Sequence, residues 1–418
     1  MPEEHVEPQW SIIRKFKMLN WNVAGAKFLD EKEGERDETQ KKLNDALWTL
    51  IQSKKPDIVT LQELVQWAPN YNDVCNNIKT EIKDIINDEK ILKEYNYYFY
   101  PFIDVCRLSA KDKWDKVIEN GGWDKMTYFA QGNGFLIKKE YELFPVLSLR
   151  EPNNEEESDT PKQNEKQKEL ANQEQKRNYV EQINFESGLY MGNRDTERRA
   201  ALIAHFILET KIKQTKPKSE GGHPDKYKPL DVFIINTHLT TLTREREGIP
   251  KIDYEASQHY RMNQLDIIFQ GIISRYNEWR RLNYPNRGKS REFSDNETSD
   301  RFEPIWIIAG DFNFMPESKE YNYILSMNFI DLIPGKKTGS KAPGFGKPPT
   351  ITLDYIFAGP KYVSLDPVFT KNDIKGNHVY DEHEEHIRGV SDHYPMFANV
   401  PIRIPGENKC IVCGAKIN

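Results

Sequence analysis

Cysteine is scarce, with 4 in 418 residues, too few and too scattered for a disulfide framework. Cys75 and Cys106 stand alone, while Cys410 and Cys413 form one CxxC near the C-terminus, a usage that suits a reducing compartment. No apolar run approaches the roughly 20 residues that a bilayer span needs. The opening MPEEHVEPQW has acids and a proline where a secretory leader has a basic and then an apolar stretch. Together these absences make a cytoplasmic chain the expectation. A basic excess is missing too. Lys+Arg 59 against Asp+Glu 65 gives a net charge of -6, which excludes the whole-molecule positive field by which non-specific nucleic-acid binders displace counterions. A local basic groove stays open.

What is present, 37% hydrophobic residues under a 30% charged coat, describes a folded chain of alternating elements. FKMLNWNVAG at 16–25 reads as a strand that breaks at Gly25, with Asn22 near its end. From Asp37, the residues Leu43, Ala46, Leu47, Leu50 and Ile51 mark one stripe of an amphipathic helix that Pro56 closes. Ile58–Leu61 then reads as a short buried strand with Glu63 just beyond it. Further strands are expected at 134–139, 200–208, 231–239, 304–313, 353–359 and 394–400. A long helix between the strands at 231–239 and 304–313 carries Leu265, Ile268, Phe269, Ile272, Tyr276 and Trp279 on one face. Strands interleaved with helices make the chain α/β or α+β. Residues 151–177 offer Leu170 and Ala171 as their only apolar non-proline side chains, too few to offset ordering entropy, so an exposed insertion is expected there. Residues 211–229 and 283–304 read as surface loops by the same argument.

Glu63, His238, Asp311, Asn313, Asp354, Asp392 and His393 each lie at or within a few residues of a strand end. Carboxylates, an amide and two imidazoles gathered at one sheet edge are what metal-assisted phosphoester hydrolysis requires. Hard oxygen donors suit Mg²⁺, or Mn²⁺ in its place, and an imidazole oriented by a carboxylate can handle a proton.

Five segments, WNVAG, LQE, NTHL, GDFN and LDYIF followed by SDH, resemble in their order the metal-dependent endonuclease/exonuclease/phosphatase superfamily, over nearly the whole chain. The resemblance implies an α+β fold, a four-layer α/β/β/α sandwich of two mixed β-sheets with outer helices, as one catalytic domain over 10–405. That domain would carry a charged insertion around 151–180, and 406–418 would form a tail. It implies that Glu63, Asn22 and Asp392 bind metal, that Asp311 orients or deprotonates the attacking water, and that Asn313 holds a phosphate oxygen or that water. His393 would polarise the phosphate or act as acid or base with Asp354 bonded to it, and His238 would donate to the scissile phosphate. Arg199 is a candidate phosphate clamp, with Arg198 competing for the role. Ala24 stands where the family often has an acid, which puts in doubt a second metal held from this strand. The histidine of NTHL is similar to the branch containing deoxyribonucleases, neutral sphingomyelinases and poly(A)-removing nucleases.

The expectation is therefore a Mg²⁺-dependent phosphodiesterase of nuclease type, with nucleic acid as a possible partner and no protein partner inferable. A phospholipid or inositol-phosphate hydrolase is the alternative, and a non-catalytic scaffold the second alternative. The stretch TTLTREREGIPKIDYEAS reads as a loop over the site, where Arg244, Arg246 and Lys251 could meet a polyanion. Cys410 and Cys413 offer two of the four ligands zinc needs; His378, His383 and His386 could supply others but read more simply as a solvated loop.

Overall fold

In the computed structural model the described residues are 10–24, 33–68, 81–104, 128–144, 180–185, 199–212, 226–240, 251–283, 302–333, 340–342, 349–359, 377–378 and 390–405. Two seven-stranded sheets are built from them. In the first, β1 (Trp10–Asn22), β2 (Ile58–Ala68), β4 (Tyr95–Asp104), β5 (Tyr128–Lys138), β13 (Asn377–His378) and β14 (Met396–Pro405) run in the order β13-β14-β1-β2-β5-β4, with β3 (Lys83–Asp84) against β2. In the second, β6 (Leu143–Phe144), β8 (Ala200–Ile212), β9 (Lys226–His238), β10 (Phe302–Asp311), β11 (Ile330–Asp331) and β12 (Asp354–Gly359) run in the order β11-β12-β10-β9-β8-β6, with β7 (Val180–Asn184) against β8.

Each sheet holds one parallel pair, β1/β2 and β9/β10, and parallel neighbours need a long crossover. Helix α1 (Glu33–Lys54) lies between the first pair and α3 (Lys251–Asn283) between the second. Short helices α2 (Glu89–Glu94) and α4 (Lys319–Ser326) are the other helices among the described residues. Three apolar clusters separate the layers. Leu43, Ala46, Leu47, Leu50 and Ile51 of α1 pack on Leu19, Trp21, Val59 and Leu61 of the first sheet. Leu265, Ile268, Phe269 and Ile272 of α3, with Ile324 of α4, pack on Phe233, Ile235, Trp306 and Ile308 of the second. The third cluster lies between the sheets, giving the four-layer α+β sandwich.

Alternation along the strands explains where the site falls. Side chains two apart share a face, and the series Phe16-Met18, Ile58, Val232-Ile234, Ile307-Ala309 and Ile356-Ala358 all enter the inter-sheet core. Towards one edge the same series turn polar. A belt of buried amides and hydroxyls comes first: Asn20, Thr60, Gln62 and Asn236. Gln62 Nε2 donates to Asn20 Oδ1 at 2.9 Å and to Asn236 Oδ1 at 2.7 Å, and Thr60 Oγ1 donates to Asn20 Oδ1 at 2.8 Å. Asn236 Nδ2 reaches across to the carbonyls of Leu61 and Gly134 at 3.0 and 2.7 Å. One step further out on these same faces stand Asn22, His238, Asp311 and Asp354.

Several expected boundaries move. β8 and β9 extend into 211–229, pairing Glu209 with Pro229 and Ile212 with Lys226: a ladder is made by main-chain groups, which every non-proline residue carries whatever its side chain. Likewise α3 reaches Asn283 and β10 starts at Phe302, inside the expected loop at 283–304. The loop expected after His238 is shorter, since α3 begins at Lys251. Val180, placed inside the charged insertion, opens strand β7 and is buried; the segment 151–177 lies outside the described residues. Strand β2 does not stop at Leu61 but continues through Glu63 to Ala68.

Candidate active site

Asp311 ends β10 between two neighbours set by register: His238 on parallel β9 and Asp354 on antiparallel β12. Gly310 allows the approach, because a Cβ there would meet the Thr237 carbonyl oxygen at 1.9 Å. Across the sandwich, Asn22 Nδ2 donates to Asp311 Oδ2 at 2.9 Å and to Glu63 Oε1 at 3.0 Å. Asn22 Oδ1 accepts the Ala24 N–H at 2.9 Å. The amide of Asn22 therefore turns its donors, not its oxygen, towards the two carboxylates.

Strict alternation would aim Glu63 with Leu61 at the helix layer. It does not, because the β2/β5 register shifts between Leu61 and Leu64 and Glu63 takes a left-handed φ of 56°. Such a bulge re-aims one side chain, at a backbone cost of order 1 kcal/mol for a residue with a Cβ. Asn313 is left-handed too, with φ 53°; its N–H donates to Asp311 Oδ1 at 3.0 Å and its Nδ2 to the Leu239 carbonyl at 3.1 Å.

The serine–aspartate–histidine segment is clipped against β1. Trp21 Nε1 donates to the His393 carbonyl at 2.9 Å, Ser391 Oγ donates to the Asn22 carbonyl at 2.8 Å, and the His393 N–H donates to Ser391 Oγ at 3.0 Å. His393 Nδ1 lies 2.8 Å from Asp354 Oδ2, leaving Nε2 3.7 Å from Asp311 Oδ2. His238 Nε2 stands 3.5 Å from the same Asp311 oxygen. Ser340 Oγ braces Asp354 from behind, accepting the N–H groups of Leu353 and Asp354 at 2.9 Å each. Trp21 and Ser391 lie in the WNVAG and SDH segments but were given no role there, and Ser340 lies in no motif; nothing in the sequence marks a serine or tryptophan as a brace.

Burial makes the electrostatics decisive, since Asp311, Asp354 and His393 are at most 2% exposed. Burial alone would depress His393, but the Asp354 and Asp311 carboxylates outweigh it and hold the ring towards imidazolium. Burial, followed by the positive charges of Arg199, His393 and Lys341, keeps His238 well below the ordinary histidine range and therefore neutral. Burial and then the Asp354 charge raise the Asp311 carboxyl, against the lowering effects of His393, Lys341 and Asn22. One charged and one neutral imidazole thus face a single carboxylate.

Asp311, Asp354 and His393 form a group that could hold a metal, yet a ring held as imidazolium with its Nδ1 engaged is a poor ligand. The Glu63 carboxylate, drawn with Asp311 to one amide nitrogen, offers a hard oxygen that suits a dication better. Asp354 Oδ1, buried with no hydrogen-bond partner among the described residues, adds an unmet acceptor to the same pocket. Among the sequence candidates, Glu63, Asn22, Asp311, Asn313, Asp354, His393 and His238 are brought together. Arg199, just ahead of β8, is near enough for its charge to act on His238. Asp392 is partly exposed beside His393. Arg198, Arg244, Arg246, His383, His386, Cys410 and Cys413 lie outside the described residues, as do the side chains of Lys251 and His378.

Residues 19–393 match the model of the Endonuclease/Exonuclease/phosphatase family. The chain belongs to that family. Its members are hydrolytic phosphoesterases. No curated protein sequence matches the chain. Among solved structures, this family member is similar to the human Nocturnin catalytic domain with bound sulfate anion, at 14% identity over 94% of this chain and 96% of that one, TM-score 0.42. It is similar to D. rerio TDP2 complexed with single strand DNA product, at 14% identity over 92% and 98%, TM-score 0.38. It is also similar to a mannosyl-6-phosphatase of Bacteroides thetaiotaomicron VPI-5482, at 12% identity over 92% and 98%, TM-score 0.41. No helix among the described residues is long and apolar enough to cross a membrane.

Proposed function

We propose that this chain is a divalent-metal-dependent phosphodiesterase of nuclease type. The observation that supports it most is the convergence on Asp311 of the Asn22 amide, shared with Glu63, and of the two imidazoles. Glu63 would hold the cation, Mg²⁺ or Mn²⁺, with Asp392 on the segment tied to β1 as a further ligand. Asn22, expected as a ligand, would instead space the two carboxylates through its N–H groups. When bound, the cation neutralises charge on the phosphate and polarises it.

The protein groups supply the rest. Asp311 accepts the proton of the attacking water, held in place at Oδ1 by the Asn313 N–H. The Asp354 carboxylate fixes the ring of His393 through Nδ1, so that Nε2–H points at the phosphate oxygens and can give up its proton. Neutral His238 donates from Nε2 to the same group, and Arg199 grips a further oxygen. The amide belt and the docked sheets behind them keep these donors fixed before substrate arrives.

The test is a hydrolysis panel of single-stranded RNA, duplex DNA, phosphoinositides, sphingomyelin and bis(p-nitrophenyl) phosphate with Mg²⁺ or Mn²⁺. Turnover that requires the metal and falls by about 10³-fold or more in Asp311→Ala is expected. Turnover only of a lipid substrate would replace the nuclease reading with a phospholipase one. An inert protein, or Asp311→Ala indistinguishable from wild type, would remove the proposal.

A further inference from the structure

Residues 340–342, in a stretch rich in lysine, glycine and proline, form a strip clamped on both sides. The N–H groups of Ser340 and Lys341 donate to the Ile351 carbonyl at 2.7 and 2.9 Å, and the Lys341 carbonyl accepts the Thr350 N–H at 2.9 Å. On the other side, the Ala342 N–H donates to the Asp392 carbonyl at 2.8 Å and the Tyr394 N–H donates to the Ser340 carbonyl at 2.7 Å. These bonds make Lys341 the antiparallel partner of His393. Partners across such a bridge leave the backbone on the same face, with Cβ atoms about 4.5–5.5 Å apart. The Lys341 stem therefore sets out beside the His393 ring, which faces Asp311 and Asp354. Lys341 is half-buried, so it lines the mouth of the pocket and not its floor.

We propose that Lys341 is a substrate-binding residue, whose ammonium contacts a non-bridging oxygen of the phosphate group that His393 serves. This rests on the phosphoesterase reading above. Its charge is felt by Asp311, His238 and His393 together, as expected of a group at the junction of all three. An ammonium on a flexible stem is a compact charge with three donors, able to follow a phosphate through reaction while the clamped backbone keeps its origin fixed. Arg199 acts on His238, at the head of the other sheet's β9; the two cations would hold different oxygens of one phosphate.

The experiment compares wild type with Lys341→Met, Lys341→Gln and Lys341→Arg, using bis(p-nitrophenyl) phosphate as substrate and inorganic phosphate as competitor. In Lys341→Met and Lys341→Gln, KM and the inhibition constant of phosphate are expected to rise about tenfold or more, as loss of a charge-assisted hydrogen bond implies. Thermal melting should stay unchanged, and Lys341→Arg should keep most of the affinity. An active wild type with KM and phosphate inhibition unaltered in both neutral variants overturns this proposal alone. Lower melting temperature with unaltered phosphate inhibition also overturns it, leaving Lys341 a structural residue. A wild type that neither hydrolyses any phosphoester nor binds phosphate overturns the parent reading and this one with it.

Discussion

Asp354 shows how much one side chain sets at the residue scale. Its Oδ2 holds His393 Nδ1 at 2.8 Å, and its charge is the largest influence raising that ring against burial. Replacing it with Asn keeps shape and removes the charge, so the ring loses both the preferred tautomer and the support for imidazolium. Asp354→Asn is expected to lower kcat by about 10²–10⁴-fold, the range for a disarmed acid–base group, with little change in KM. Stopped-time assays on the diester substrate decide it; a variant with kcat within a few-fold of wild type contradicts the role. Residues of this kind were legible in the sequence because they sit in compact motifs at strand ends. Glu63 was legible as a candidate, but the left-handed backbone that aims it was not. Nothing in LQE announces a bulge, which depends on how β5 pairs alongside.

Elements were legible where periodicity was strong. The α1 and α3 stripes enter the helix–sheet clusters as expected, because a 3.6-residue apolar repeat has one stable use beside a sheet. Edges were less legible: β4, with Tyr95, Tyr97, Tyr98, Phe99 and Tyr100, shows neither alternation nor a clear breaker. The polar ends of β8 and β9 owe their strand state to each other. The short β11 carries a pH-sensitive group. Burial lifts the Asp331 carboxyl from 3.8 to about 6, against hydrogen bonds from the Ile333 N–H and the Tyr321 hydroxyl. The folded chain then keeps a proton that the unfolded chain has released, so this contribution to stability is whole below about pH 4 and lost as pH rises through 6. Asp331→Asn, which stays neutral, should gain on wild type by on the order of 1–3 kcal/mol above pH 6 and by little near pH 4. Urea unfolding at pH 4 and pH 7.5 tests this, and an equal difference between the two proteins at both values would refute it.

Over the whole molecule, two βαβ halves dock through an apolar core that gives way to a belt of buried amides and then to the site. Glu63 and Asn22 come from one sheet, Asp311, Asp354 and His238 from the other, so the site exists only while the sheets are docked. That convergence was implied by the motif order, but the amide belt was not. Asn20, Gln62 and Asn236 read individually as ordinary polar residues, and only the inter-sheet geometry joins them. Docking of the two sheets sets Glu63, the proposed ligand of a hard dication, beside Asp311, the proposed proton acceptor. Titration of the protein with Mn²⁺, followed by electron paramagnetic resonance, tests that ligand role directly on wild type and Glu63→Gln. Saturable binding by wild type that weakens by about tenfold or more in Glu63→Gln is the predicted result. Equal binding by the two proteins, or none by wild type, would contradict the account.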